Sequence, residues 1–351
     1  MKVALIAQSF SGAGGTARYA QQLLLNLRGM AIPVEGRASH NPFVSYLSSS
    51  IALYARWKYL EVKPPELVHL TNAYAPFLLP RRSSSVRVST WHDLFPLIYG
   101  GLLDRQTFSV GMLNYSRSDA LIFNSEETML KLKAFLESCH IKKVSSSSGY
   151  QKPSRVIWLG VPDAFMKRKP WDGPRKDLAF VGVLHNRHKD LLGLLTVFAE
   201  VRASRACRLH LFTPAYDAGL ALTKAKEMGI HRDLVFHQSA SDEQLAIELS
   251  KVSALLHVVR AEGFGLTILE ALSVGTPVLL PKEAEVPGVT AKYASRVSFS
   301  KLADSAVRAL DRGAQAPPEA VAYARSFTWS RTAQETLKFY EELLDQKTLK
   351  W

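Results

Sequence analysis

The sequence predicts an α/β fold of two doubly wound, parallel-sheet domains facing a central cleft, and three observations lead there. The chain has 351 residues, 47% of them hydrophobic, too many for one ordinary core. Short apolar runs recur with helical or loop segments between them, the rhythm of βαβ units. Near the middle, a segment rich in proline and basic residues separates two sets of such runs.

The first set is VALIA at 3–7, VRVST at 86–90, ALIF at 120–123 and RVIWL at 155–159, each reading as a strand buried on both faces. From Pro162 to Lys176 the chain reads PDAFMKRKPWDGPRK, whose three prolines, one glycine and five basic residues predict an interdomain linker without regular structure. The second set follows as LAFVGVL at 178–184, RLHLFT at 208–213, DLVFHQ at 233–238, SALLHVV at 253–259 and TPVLLP at 276–281. FTWSRTAQETLKFYEELL, Phe327 to Leu344, places Ser and Thr caps before apolar residues at helical spacing, which predicts a closing amphipathic helix over about 328–345. The expected domains are 1–164 with that helix, and 165–327. SSSSGYQKPS at 145–154 and RRSSS at 81–85 read as polar loops. Between 41 and 60, Phe43, Leu47, Ile51 and Tyr54 share one helical stripe, expected to pack on a core rather than lie on a membrane.

Charge and cysteine usage narrow the function classes. Lys plus Arg number 44 against 31 Asp plus Glu, a formal charge of +13, and residues 1–165 hold 18 of the basic and 10 of the acidic residues. The basic first half suits an anionic partner such as a nucleotide, a phosphorylated lipid or a membrane surface. No recognition helix or zinc module supports nucleic acid. Cys139 and Cys207 lack disulfide or metal spacing, and no apolar run is long enough for a signal or a membrane span. A cytoplasmic protein is expected, with peripheral contact at the inner face of the membrane if the acceptor is an anionic lipid.

The densest constellation is RAEGFGLTILEALSVGTPVLL, Arg260 to Leu280. A strand ends, a glycine loop follows, a helix runs from about Leu266 to Ser273, and Gly275 terminates it. Gly263 and Gly265, on either side of Phe264, let backbone approach a ligand closely. Amides at the helix start, through Leu266 and Thr267, offer N–H groups to a diphosphate, with the Thr267 hydroxyl beside them. Glu262 is placed to accept hydrogen bonds from sugar hydroxyls and Glu270 from a ribose diol; the alternative is an exposed Glu262 and a Glu270 that merely pairs with a lysine. The sequence has no Asp-x-Asp pair, which predicts a metal-independent site with no cofactor.

The string EGFGxxxLEAxxxGTPV, two glutamates with seven residues between them, resembles the signature of the family-4 retaining glycosyltransferases. The likeness extends over nearly the whole chain. GAGGTARYAQQLLLNL at 12–27 is similar to the family's glycine loop and first helix, and TWHDLFPL at 90–97 to its histidine segment. DALIFNSEETMLKL at 119–132 is similar to its strand followed by a serine, and LAFVGVLHNRHKDLLGLL at 178–195 to its second glycine turn. The resemblance implies the GT-B architecture of two Rossmann-like domains, the last helix crossing back onto the first. It implies transfer of a hexose, with retention, from a nucleotide diphosphate sugar to a glycan or lipid-linked glycan. Likeness to polysaccharide mannosyltransferase-type members makes GDP-mannose the first expected donor and UDP-glucose the second.

By the same resemblance Lys189 and Arg187 grip the diphosphate, although Val183 stands where many members carry an arginine. His92 lies under the donor sugar; a lone histidine is otherwise a loop residue bonded to backbone. Gly14 and Gly15 face the diphosphate loop, and Arg18 meets an anionic acceptor. The base is expected to stack near Phe212–Thr213 and Phe236–His237. Two other readings remain open here: a non-catalytic nucleotide-sugar or polyanion binder, and a sugar-nucleotide epimerase.

Overall fold

The computed structural model describes residues 1–10, 14–32, 34–38, 64–75, 79, 84–139, 152–214 and 218–348. These form two compact units, Met1–Leu159 with Trp329–Trp351, and Gly160–Thr328. In the first unit β1 (Val3–Ala7), β2 (Val34–Ala38), β3 (Leu67–Leu70), β4 (Val86–Trp91), β5 (Ala120–Phe123) and β6 (Ser154–Val156) form one sheet in the order β2-β1-β3-β4-β5-β6. Every neighbouring pair is parallel. All residues of β1, β3 and β5 are buried, as a parallel sheet covered on both faces requires. The helices between them are α1 (Gly15–Gly29), α2 (Phe95–Ile98), α3 (Leu102–Arg117) and α4 (Glu126–Ser138). Ser125 starts α4 by accepting from the Thr128 amide, with Glu126 and Glu127 in the positively polarised first turn.

The second unit contains α5 (Asp163–Lys167), β7 (Lys176–Val181), α6 (Leu191–Ser204), β8 (Leu209–Thr213), α7 (Ala218–Glu227), β9 (Leu234–Gln238) and α8 (Asp242–Lys251). It continues with β10 (Val252–Leu256), α9 (Leu266–Ser273), β11 (Val278–Pro281), α10 (Gly288–Ala291), β12 (Ser295–Val297), α11 (Leu302–Arg312) and α12 (Pro318–Arg325). Its sheet runs β12-β11-β10-β7-β8-β9, parallel throughout. Counted from the unit's own first strand this is the dinucleotide-binding order of a doubly wound sheet, and the winding reverses between β7 and β10. In such sheets ligands bind beyond the carboxyl ends of the strands at that reversal. Phe180, Leu194, Phe198, Leu211 and Leu256 anchor the core on one face of the sheet, each contributing about 1.5–3 kcal/mol by burial.

The last helix, α13 (Trp329–Thr348), belongs to the first unit and packs along α1. Arg155 pairs with Glu342 at 2.5 Å and lies 4.7 Å from the Phe339 ring. No helix among the described residues is long and apolar enough to cross a membrane.

The expectation of an irregular linker over 162–176 is corrected. Phe165 is fully buried within α5. The Arg175 guanidinium donates to Val252 O at 3.1 Å, Thr276 Oγ1 at 3.1 Å and Trp171 O at 3.3 Å. Prolines limit helix length here, but a buried aromatic and a buried guanidinium fasten the segment to the second unit; the chain passes between units at Leu159–Gly160 and Thr328–Trp329. The stripe at 41–60, residues 81–83 and 145–151 of the two loops, and Gly12 of the glycine loop lie outside the described residues.

Candidate functional site

At the reversal of the second sheet, β7 runs into Gly182, whose φ is +155°. A Cβ there would lie 3.3 Å from Phe180 Cζ and 3.4 Å from Lys189 Cε, in a backbone conformation that favours glycine. The turn that follows closes through the Lys189 amide, which donates to Asn186 O at 2.8 Å. It is then pinned to the segment after β10: Lys189 and Val259 form an antiparallel bridge, and the Arg260 amide donates to His188 O at 2.8 Å. On its other side that segment is bridged to Glu285, through Glu262 N to Glu285 O and Glu285 N to Arg260 O, both 2.9 Å.

This main-chain bracing puts the Lys189 ammonium against the Glu262 carboxylate, 73 residues away in sequence. Both side chains are largely buried, at 9% and 13% exposed. His257, fully buried at the end of β10, brings Nε2 within 3.1 Å of the same Glu262 oxygen. Its Nδ1 lies 3.4 Å from Thr267 Oγ1 in the first turn of α9. Burial by itself would raise the Glu262 carboxyl; Lys189 and His257 outweigh it and hold the group well below the usual carboxylate range. Burial lowers His257, and burial with the Lys189 charge takes His188 down to about 4. At neutral pH the cluster therefore comprises an ion pair and two neutral imidazoles.

Sequence reasoning missed both histidines. The available signal was a histidine at the end of an otherwise apolar strand, SALLHVV, five positions before the loop glutamate.

Gly265 caps α9 with φ +97°, and a Cβ there would stand 3.1 Å from Thr290 Oγ1. The Thr290 hydroxyl in turn donates to Phe264 O at 2.6 Å. The Phe264 ring is buried edge-on against Phe327 at 6.3 Å, so Phe264 and Gly263 contribute backbone to this loop. Leu266 and Thr267 are half-buried, and Glu270 lies a turn further along α9 at 1% exposed. The alternative of an exposed Glu262 is overturned by its burial. Arg187 stands exposed on the turn, outside the ion pair, and Val183 is half-buried.

The expected base platform is corrected. Phe212 stacks on His237 at 4.3 Å, and His237 on His210 at 5.1 Å, so these rings cover one another. Phe236 packs into the core; strand alternation sends it to the opposite face of the sheet from His237.

In the first unit His92 is 6% exposed just after β4. Its Nε2 donates to Thr71 O at 2.9 Å, which leaves Nδ1 as the acceptor facing Asn124 Nδ2 at 3.5 Å. The Tyr19 ring stands edge-on at 5.0 Å, and burial lowers His92 to about 4. Locally, then, His92 is a neutral histidine bonded to backbone. His69 beside it is held between Thr90 Oγ1 at 2.7 Å and the Tyr340 hydroxyl at 2.5 Å, and Tyr19 OH meets the same Thr90 oxygen at 3.2 Å. Gly14 and Gly15 are exposed, and among the described residues nothing lies within 4 Å of a Cβ built on either. The half-buried Arg18 closes the first turn of α1 onto Gly14 O at 3.0 Å.

Over residues 175–311, within the second unit, the chain matches the family Glycosyl transferases group 1, and its fold is the two-domain Rossmann-like GT-B fold. The chain is similar to a D-inositol 3-phosphate glycosyltransferase of Segniliparus rotundus, 29% identical over 189 residues, which are 49% of this chain and 41% of that protein. It is similar as well to an MMP alpha-(1->4)-mannosyltransferase of Mycolicibacterium hassiacum, 27% identical over 179 residues, 48% of this chain and 41% of that one. The match thus spans about two fifths of the length of either curated relative. In fold it resembles sucrose-phosphate synthase from Thermosynechococcus elongatus, with a TM-score of 0.75 at 17% identity over 99% of this chain and 100% of that one.

Proposed function

We propose that the protein is a metal-independent retaining glycosyltransferase that moves a hexose from a nucleotide diphosphate sugar, GDP-mannose first and UDP-glucose second, to a glycan or lipid-linked glycan. The observation that carries this reading is the buried Lys189–Glu262 pair at the winding reversal of a dinucleotide-type sheet. The two halves of that pair match the two halves of the ligand. A diphosphate takes Lys189 and the amides at the start of α9, while sugar hydroxyls donate to Glu262. Glu270 serves the ribose, and the exposed Arg187 supplies the second cation.

As the glycosyl bond breaks, charge develops on the leaving phosphate, where a fixed ammonium and helix-terminal amides stabilise it in place without reorganising. That phosphate helps to deprotonate the acceptor on the same face of the sugar, so no protein nucleophile is needed. In the first unit, His92 under the sugar positions rather than shuttles protons, because Nε2 is committed to Thr71. At Gly14 and Gly15 the described residues leave room for a side chain; an anion brought close to the start of α1 accounts for its absence. A phosphorylated acceptor suits Arg18 and the basic first half, and one relative is named for an inositol phosphate. If that acceptor is an anionic lipid, the same charge favours peripheral contact at the inner membrane face.

A thermal-shift screen with GDP, GDP-mannose, UDP and UDP-glucose, joined to an assay of nucleoside diphosphate release, tests this. A ligand at a hundred times its dissociation constant should stabilise by about 2.7 kcal/mol, and the stabilising sugar nucleotide should be turned over on phosphorylated or glycan acceptors. Tight binding without release on any acceptor would identify a binding protein instead. No stabilisation by any nucleotide would remove the site.

A further inference from the structure

One oxygen of Glu262 serves two partners, the Lys189 ammonium and His257 Nε2 at 3.1 Å. An anion that recruits Lys189 competes for the charge that neutralises this carboxylate. A largely buried carboxylate left without a cation is costly, and protonating Glu262 would surrender its capacity to accept from two hydroxyls. His257 is the group in place to respond. Its ring is fully buried, and Nε2 sits at the carboxylate without a well-aligned hydrogen bond.

We propose that His257 is a positioning residue that takes a proton from solvent when an anion draws Lys189 off Glu262, so that an imidazolium replaces the ammonium as the partner of that carboxylate. This rests on the reading of Lys189 as the diphosphate ligand. The charged and titratable groups around His257 are Glu262 and Lys189, with His188 of the same turn; α9 presents the uncharged Thr267 hydroxyl. The Lys189 charge lowers the proton affinity of His257 and Glu262 raises it. Withdrawing the first while the second stays shifts the imidazole towards its protonated form. His188 feels the same two charges, so the His257 variant is needed to assign the proton. The consequence is a Glu262 that stays ionised and fixed through the exchange, ready to accept from sugar hydroxyls.

Calorimetric titration of the full chain with GDP and with UDP, at neutral pH in buffers of different ionisation enthalpy, reads the proton directly. Wild type should take up a large fraction of a proton on binding, and its Kd should weaken with rising pH by up to about tenfold per unit. His257→Gln keeps an amide donor towards Glu262 but cannot titrate. It should bind within about tenfold of wild type, with that uptake lost; titration of the nucleotide's own phosphate is common to both proteins and cancels. Equal uptake in wild type and variant would overturn the proposal, as would a wild type that shows no uptake once the proton released by the nucleotide's own phosphate, known from titration of the free nucleotide, is added back, a result that needs no variant to fold. Lys189→Ala separates the levels. Weakened binding with no wild-type uptake defeats His257 alone, whereas unchanged binding defeats the Lys189 reading and this inference with it.

Discussion

His69 and His92 lie on the first sheet among hydroxyls, a backbone carbonyl and aromatic edges, whereas His257 and His188 lie on the second beside an ammonium and a carboxylate. In the first region burial dominates both histidines. His69 falls to about 3, pushed first by desolvation and then by its neighbour His92, and His92 falls to about 4. Both are neutral struts anchored by hydrogen bonds: His69 ties β3, β4 and α13 together through Thr90 and Tyr340, and His92 holds the Thr71 carbonyl just after β3. In the second region opposing charges work against burial, so the protonation of His257 depends on where Lys189 is. The same residue type makes architecture in one unit and responsive chemistry in the other, and the difference is the presence of a neighbouring ion pair.

Lys189→Ala should break the comparison most severely. Removing the ammonium in contact with Glu262 should lower kcat/KM by about 10²–10³-fold, read as nucleoside diphosphate release. A rate within a few-fold of wild type would move the chemistry away from the charged cluster.

A smaller effect separates the regions by pH. Because the folded-state values of His69 and His92 lie below the ordinary histidine value, the unfolded chain binds more protons as pH falls below about 6.5. Their contribution is therefore fully present above that pH and is lost progressively as pH falls towards about 4 for His92 and about 3 for His69. By pH 5 the loss should be on the order of 2 kcal/mol per histidine, measurable as a drop in the urea midpoint of tryptophan fluorescence. His92→Gln should flatten that dependence; an unchanged slope would mean that His92 does not carry it.

The smallest change sharpens the picture of the struts. Tyr340→Phe leaves His69 Nδ1 buried without its partner and should cost about 1–3 kcal/mol in urea unfolding, while GDP affinity stays as in wild type. A matching loss of affinity would show that the strut and the charged cluster are not separable.

Much of this protein was settled by its sequence read locally. The runs VALIA and ALIF are strands with nearly the predicted bounds, the helix read as Leu266 to Ser273 has those ends, and the closing helix read as about 328–345 spans Trp329–Thr348. Periodicity, caps and glycine turns act over three or four residues, so one sequence displays them. The reading passed over β3, only four residues with His69 inside, and β12, three residues with two exposed, because such short or polar strands owe their form to the neighbours they pair with. Lys189, Glu262 and Glu270 were legible as residue types in a family-like string. Only the tertiary structure decided that Lys189 meets Glu262, that His257 completes the cluster, that Phe212 spends its face on His237, and that His92 is neutral and tethered. Those properties come from burial and from contacts between residues far apart in the chain, where desolvation and Coulomb attraction compete, and no local pattern encodes that balance.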